Sequence, residues 1–271
     1  MIYRLLSYLP FPLLYFVAWL GYLLLYHVAR YRRDVVRQNL SRAFPEKSES
    51  EINALGKAFY RQLTQVALEI IKARRLTRED FLDRVKLRNP ERVYEYSNEL
   101  TESVIVLTIH QGNWEWMLHG ATANLGIPID PVYKPLHNEN VDKLIFDIRS
   151  QFGSRPLSME ESTRDILRRR REFRIFVMVA DQSPIRSERG YWTQFKQQEA
   201  NFYLGTEIIA KMTRFPVLFA QCHRIEPGYY EIEFHELAKP PYDKESHEIT
   251  DRYVALTEQA IRCEPESWLW S

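Results

Sequence analysis

The chain has 271 residues, a net charge of +1 and 45% hydrophobic residues. That length suits one sizeable α/β domain with a small extension, and the near-neutral balance gives no global basic field for nucleic acid. The two cysteines, Cys222 and Cys263, have no metal-ligand spacing and make no disulfide framework, so both read as reduced thiols of a cytosol-facing domain.

No charge falls between Leu5 and Tyr26, a stretch long enough to cross a bilayer as a helix. Tyr3, Tyr8, Trp19, Tyr22 and Tyr26 supply interfacial aromatics, and Arg30, Arg32, Arg33 and Arg37 follow closely. By the positive-inside rule the remainder is cytoplasmic. A cleaved signal peptide fits poorly, because no small-residue site closes the run. Pro10 and Pro12 leave a kinked or interfacial helix open, and so does a helix buried in the domain core. The expected division is an anchor over 1–30 and a catalytic domain over 31–271.

Asp34 to Arg42 reads as a basic amphipathic helix suited to anionic headgroups, interrupted at Pro45. Ser48 and Glu51 form a capping-box pattern for a long helix to about Ala73, with Ile52, Leu55, Phe59, Leu63, Val66 and Ile70 at helical spacing. Thr77 caps a short helix, 85–88 is a candidate edge strand, and Pro90 to Glu99 is expected to be helical. Ser103 to Ile109 is a β-branched apolar run, the pattern of a strand buried on both faces. Further strands are expected over 128–133, 173–180, 216–221 and 229–234, and helices over 138–152, 160–172, 201–213 and 246–263. Strands alternating with helices predict an α/β fold, a mixed, largely parallel sheet flanked by helices.

The chain is organised around Thr108-Ile109-His110-Gln111-Gly112-Asn113-Trp114-Glu115. His110 ends the buried strand, Asn113 is a good N-cap, and Glu115 falls in the first turn of the next helix. The carboxyl end of a strand is where open α/β sheets carry their chemistry. On a continuous helix, residues five apart sit about 140° apart and do not meet. A turn loosened by Gly112 can instead fold Glu115 onto His110, set the tautomer and leave the other ring nitrogen as a base. The plainer alternative is that these residues merely end a strand and start a helix.

A His, four residues and an acidic residue on a strand-to-helix turn resembles the glycerolipid and lysophospholipid acyltransferase superfamily. His110-Gln-Gly-Asn-Trp-Glu115 is most similar to the branch that adds secondary lauroyl and myristoyl chains to lipid A. Arg37 to Glu46, Val132 to Leu136, Arg149 with Gly153, and Ala180-Asp181-Gln182 agree in order. The resemblance implies a membrane-associated O-acyltransferase at the bacterial inner membrane. An acyl carrier protein or coenzyme A thioester is the implied donor and a phosphorylated lipid A precursor the acceptor. No metal or bound cofactor is implied. His110 and Glu115 are the implied catalytic pair. Asn113, Arg149, Asp181, Gln182 and Arg164 form the expected substrate-binding set. Asp181 and Gln182 are expected at the acceptor, with a turn cap as the alternative. Arg149 is expected to hold an acceptor phosphate or an oxyanion, with a solvated helix arginine as the alternative. The run Arg164, Arg168 to Arg171 and Arg174 is expected to meet lipid phosphates or an acidic carrier, unless it is simply a solvated face.

His119, four residues after Glu115, raises zinc, but the spacing matches no zinc-enzyme signature. Where the family carries Phe-Phe-Gly, this chain has Gln194 to Ala200, a loop expected to shape acyl or acceptor choice. The family also continues past Trp268-Leu269-Trp270-Ser271 with a basic tail, so a truncated chain is expected. Rival readings are a thioesterase using the same pair with water, a transferase acting on another glycolipid, aminolipid or phospholipid, and a lipid-binding scaffold without activity.

Overall fold

The computed structural model describes residues 2–184 and 190–271. Helix α1 (Ile2–Tyr8) stops before Pro10, which has no N–H to extend it, and α2 (Phe11–Tyr22) restarts with Pro12 in its first turn. α2 then opens into a wider, π-type stretch over Leu23–Val28. α3 (Arg33–Ala43) precedes α4 (Glu49–Ala73), whose Ser48–Glu51 capping box forms as the sequence predicts. Next come α5 (Arg78–Arg84), β1 (Val85–Leu87), α6 (Glu91–Tyr96), β2 (Val104–Thr108), α7 (Trp114–Leu125), β3 (Ile129–Tyr133) and α8 (Glu139–Arg149). The chain continues through β4 (Leu157–Ser158), α9 (Met159–Arg168), β5 (Ile175–Val179), β6 (Gly190–Phe195), β7 (Gln198–Tyr203), α10 (Gly205–Thr213), β8 (Val217–Glu226), β9 (Tyr229–Ala238) and α11 (Glu248–Cys263).

Seven strands form one sheet in the order β1-β9-β8-β2-β5-β3-β4, parallel except where β8 meets β9. The mixed, largely parallel α/β fold is therefore the one expected. β2 is central and buried along its whole length, which explains its unbroken apolar run. Its side chains alternate between two cores. Val104 and Val106 pack toward α7, while Ile105, Leu107 and Ile109 pack toward α11 and the inner residues of α3 and α4.

Two regions differ from expectation. The apolar N-terminus is one helix long and apolar enough to cross a membrane, Phe11–Val28, but it lies along α4. Leu14, Ala18, Tyr22 and Tyr26, four residues apart, are buried against the domain, while Phe16, Trp19, Leu20 and Leu24 remain exposed. The segment thus shares its cores with the rest of the chain. The second difference is at 190–203, where β6 and β7 pair as an antiparallel ribbon, so the helix expected from residue 201 begins at Gly205. The ribbon turns on Lys196 and Gln197, at φ 50° and 61°. Such turns usually announce themselves with Asn-Gly; here no such signal exists.

Candidate active site

β2 delivers the chain to the carboxyl edge of the sheet, where residues 110–113 make a tight, well-bonded turn. Gly112 has φ +59°, and a Cβ there would stand 2.7 Å from Cys222 Sγ, so both the conformation and the space demand glycine. The Gly112 N–H donates to the Ser267 carbonyl (3.0 Å), and Leu269 N–H donates to the His110 carbonyl (2.9 Å). Gln111 Nε2 donates to the Ala260 carbonyl (2.9 Å). The C-terminal residues therefore clamp the turn from below. Asn113 caps α7 as expected, its Oδ1 accepting from Trp116 N–H at 3.0 Å.

The His110 ring points at Asp181, which follows β5, the strand beside β2. Nδ1 and Asp181 Oδ1 are 2.6 Å apart, and the His110 backbone N–H donates to Oδ2 (2.9 Å). Trp268 Nε1–H also donates to Oδ2, at 2.7 Å. Burial pushes the Asp181 carboxyl up, but His110 and these donors outweigh it and hold the group below the usual carboxylate range. An ionised Asp181 accepts the Nδ1 proton, which leaves the lone pair on Nε2. Nε2 has no protein partner among the described residues, the imidazole remains 18% exposed, and Trp114 packs edge-on against it.

Glu115 does not hydrogen-bond His110, contrary to the expected pairing. Both its oxygens are taken by Arg149 from the end of α8, Nε to Oε2 at 2.8 Å and Nη2 to Oε1. The two side chains are 6% and 18% exposed. A guanidinium this buried needs a counter-charge, and a bidentate carboxylate is the best one available. Burial pushes Glu115 up and Arg149 down, yet their mutual attraction prevails in both, so both are charged. Arg149 spends two donors on Glu115 and faces the Tyr133 ring.

Behind this pair a narrow cavity runs between α7 and the sheet. Trp114, Glu115, Thr108 and Arg149 line its upper end, and Leu125, Ile129 and Ile175 its lower end, at the amino edge of the parallel strands. Its walls are largely apolar, with Glu115, Arg149 and Thr108 as the polar side chains.

The remaining expected site residues disperse. Asn113 is fully buried, with Oδ1 on the helix cap and Nδ2 on Glu69 (2.9 Å), so its side chain is held inside the protein rather than open to a substrate. Gln182 is exposed next to Asp181. Arg164 is exposed on α9. Half of its basic run is engaged in ion pairs, Arg168 and Arg169 with Asp165 and Arg169 and Arg174 with Asp130, while Arg164, Arg170 and Arg171 are exposed. Arg174 precedes β5, so this cluster lies at the sheet edge opposite His110. His119 is buried between the Phe81 and Phe152 rings with neither ring nitrogen bonded. Burial pushes it down to about 4, and it is neutral. Trp268 escaped the sequence reading because it stands 87 residues from the carboxylate it serves, and no local pattern links them.

The family model for bacterial lipid A biosynthesis acyltransferases matches residues 1–271. Comparison with curated proteins finds no match.

Proposed function

Because the chain belongs to the bacterial lipid A biosynthesis acyltransferase family, we propose that it moves a fatty acyl chain from an acyl carrier protein or coenzyme A thioester to a hydroxyl of a phosphorylated lipid A precursor. The observation that carries this reading is the free Nε2 of His110, poised by Asp181 and packed against Trp114, which lines a largely apolar cavity. The acyl chain enters that cavity, which leaves the thioester carbonyl near Trp114. His110 Nε2 takes the proton of the acceptor hydroxyl as its oxygen attacks the carbonyl carbon. The oxyanion is met by the N–H groups of Trp114 and Glu115, which open α7 and have no protein acceptor among the described residues. Collapse breaks the C–S bond, and the thiolate leaves with the proton from the imidazolium. The Glu115–Arg149 pair shapes the cavity entrance and presents the remaining guanidinium N–H groups to the substrate.

The exposed apolar side chains of α2 and the arginines from Arg30 to Arg42 support seating at the cytoplasmic surface of the inner membrane. A helix packed lengthwise on α4 suits an in-plane anchor better than a free span. Replacing Phe16, Leu20 and Leu24 by Glu should release the folded protein from anionic vesicles; unchanged retention contradicts this placement.

The decisive assay supplies the purified full chain with acyl-carrier-protein donors and a lipid A precursor lacking secondary chains, read by mass spectrometry. An acylated precursor is expected only with both substrates present. Free fatty acid formed at full rate without acceptor would convert the reading to a thioesterase.

A further inference from the structure

Glu69 sits within α4, away from the cleft and fully excluded from solvent. Its Oε2 accepts from Asn113 Nδ2 (2.9 Å) and Tyr230 Oη (2.5 Å), and its Oε1 accepts from Tyr15 Oη (2.9 Å). Its backbone carbonyl accepts from Trp116 Nε1 (2.9 Å). No Lys or Arg hydrogen-bonds the carboxylate among the described residues. A buried acid without a cationic partner is costly unless several donors converge on it. The three donors to this carboxylate come from separate places, α2, the turn after His110 and β9, while α7 bonds the backbone of the same residue. Asn113 is the junction, since one end of its amide caps α7 and the other is held by Glu69. Phe11 of α2 and Tyr230 also pack edge-on against Trp116.

We infer that Glu69 is a positioning residue that couples the apolar N-terminal helix to the turn bearing His110, so that the seating of α2 sets the geometry of the base. The role assigned to His110 rests on the proposed acyl transfer; the coupling itself does not. A displacement of about 1 Å in a catalytic group costs on the order of 10²-fold in rate, so slack in this junction should appear in kcat rather than in acceptor binding.

Two readouts test it on the full chain in detergent. One is acyl-transfer kinetics. The other needs no activity: Cys222 lies buried directly beneath Gly112, so its alkylation by a maleimide, in a Cys263→Ser background, reports opening of the turn. Asn113→Asp sets two carboxylate oxygens against each other across the 2.9 Å contact. It should lower kcat by roughly tenfold or more, with the acceptor KM within about twofold, and speed Cys222 labelling by about the same factor. Adding Glu69→Gln should rescue both, because the new amide donates to the introduced carboxylate and to Tyr230 while still accepting from Tyr15. Tyr15→Phe, which cuts only the α2 arm, should give a smaller change of the same sign in both. Labelling and kcat that stay at wild-type values in Asn113→Asp and Tyr15→Phe, or a double variant no better than Asn113→Asp, would overturn the coupling. A wild-type chain without acyl transfer defeats the proposed function alone, and the labelling series still decides the role of Glu69.

Discussion

His110 and Glu115 start from one eight-residue motif and end in opposite circumstances. The imidazole keeps one nitrogen for its neighbour Asp181 and one facing outward. The carboxylate is buried and doubly bonded to Arg149. A group that does chemistry needs an unspent atom at the surface of a cleft, whereas a group that holds a wall in place is better fully spent. The difference shows that spacing in a motif identifies the residues of a site without identifying their partners.

The sharpest way to break this comparison is a pair of double-mutant cycles. His110→Ala should lower kcat by about 10²–10⁴-fold at an unchanged melting temperature. Asp181→Asn should also be strongly impaired, and the His110→Ala/Asp181→Asn double variant scarcely worse than His110→Ala, since the two act as a unit. Losses from His110→Ala and Glu115→Gln should instead multiply. The reverse pattern would restore Glu115 as the partner of the base.

A second prediction concerns stability. Glu115→Leu or Arg149→Met alone leaves one buried charge without its partner and should cost about 3–5 kcal/mol in denaturant unfolding, while the double replacement should cost clearly less than either. Additive losses would mean the pair is not the wall element described above.

The smallest expected effect sharpens the contrast between His110 and its buried neighbour His119. The folded-state pKa of His119 is depressed to about 4, against about 6.5 in an unfolded chain. The unfolded state therefore binds a proton first, and the stability that neutral burial confers is complete above about pH 6.5 and falls as the pH drops toward 4. Across that window the loss is on the order of 2–3 kcal/mol at about 1.4 kcal/mol per pH unit. Urea midpoints measured between pH 7 and 4 should show the slope, and His119→Phe should flatten it. An equal slope in the variant would assign it to other groups.

Much of the architecture was legible in local pattern. The β-branched run at 104–108, the Ser48–Glu51 box and the Asn113 cap are short-range devices whose physics lies within a few residues. The ribbon at 190–203 was not, because its turn uses Lys196 and Gln197 at positive φ and is stabilised by tertiary contacts rather than by turn residues. The basic run at 164–174 is divided for a related reason, with Arg168, Arg169 and Arg174 ion-paired and Arg164, Arg170 and Arg171 left exposed. A run of arginines reads as free charge until Asp130, buried in β3, is found beneath it.

By itself, then, the sequence determined the strand–turn–helix that carries His110, the class of fold and the family resemblance, all of which follow from periodicity, caps and a contiguous motif. Only the tertiary structure decided that Asp181 rather than Glu115 holds the imidazole, that Arg149 is the counter-ion of Glu115, and that α2 is joined to the turn bearing His110 through Glu69. Hydrogen bonds and ion pairs are satisfied by whichever group the packing brings within about 3 Å, and between strands and helices far apart in the chain that choice belongs to the sheet order, which no local spacing encodes.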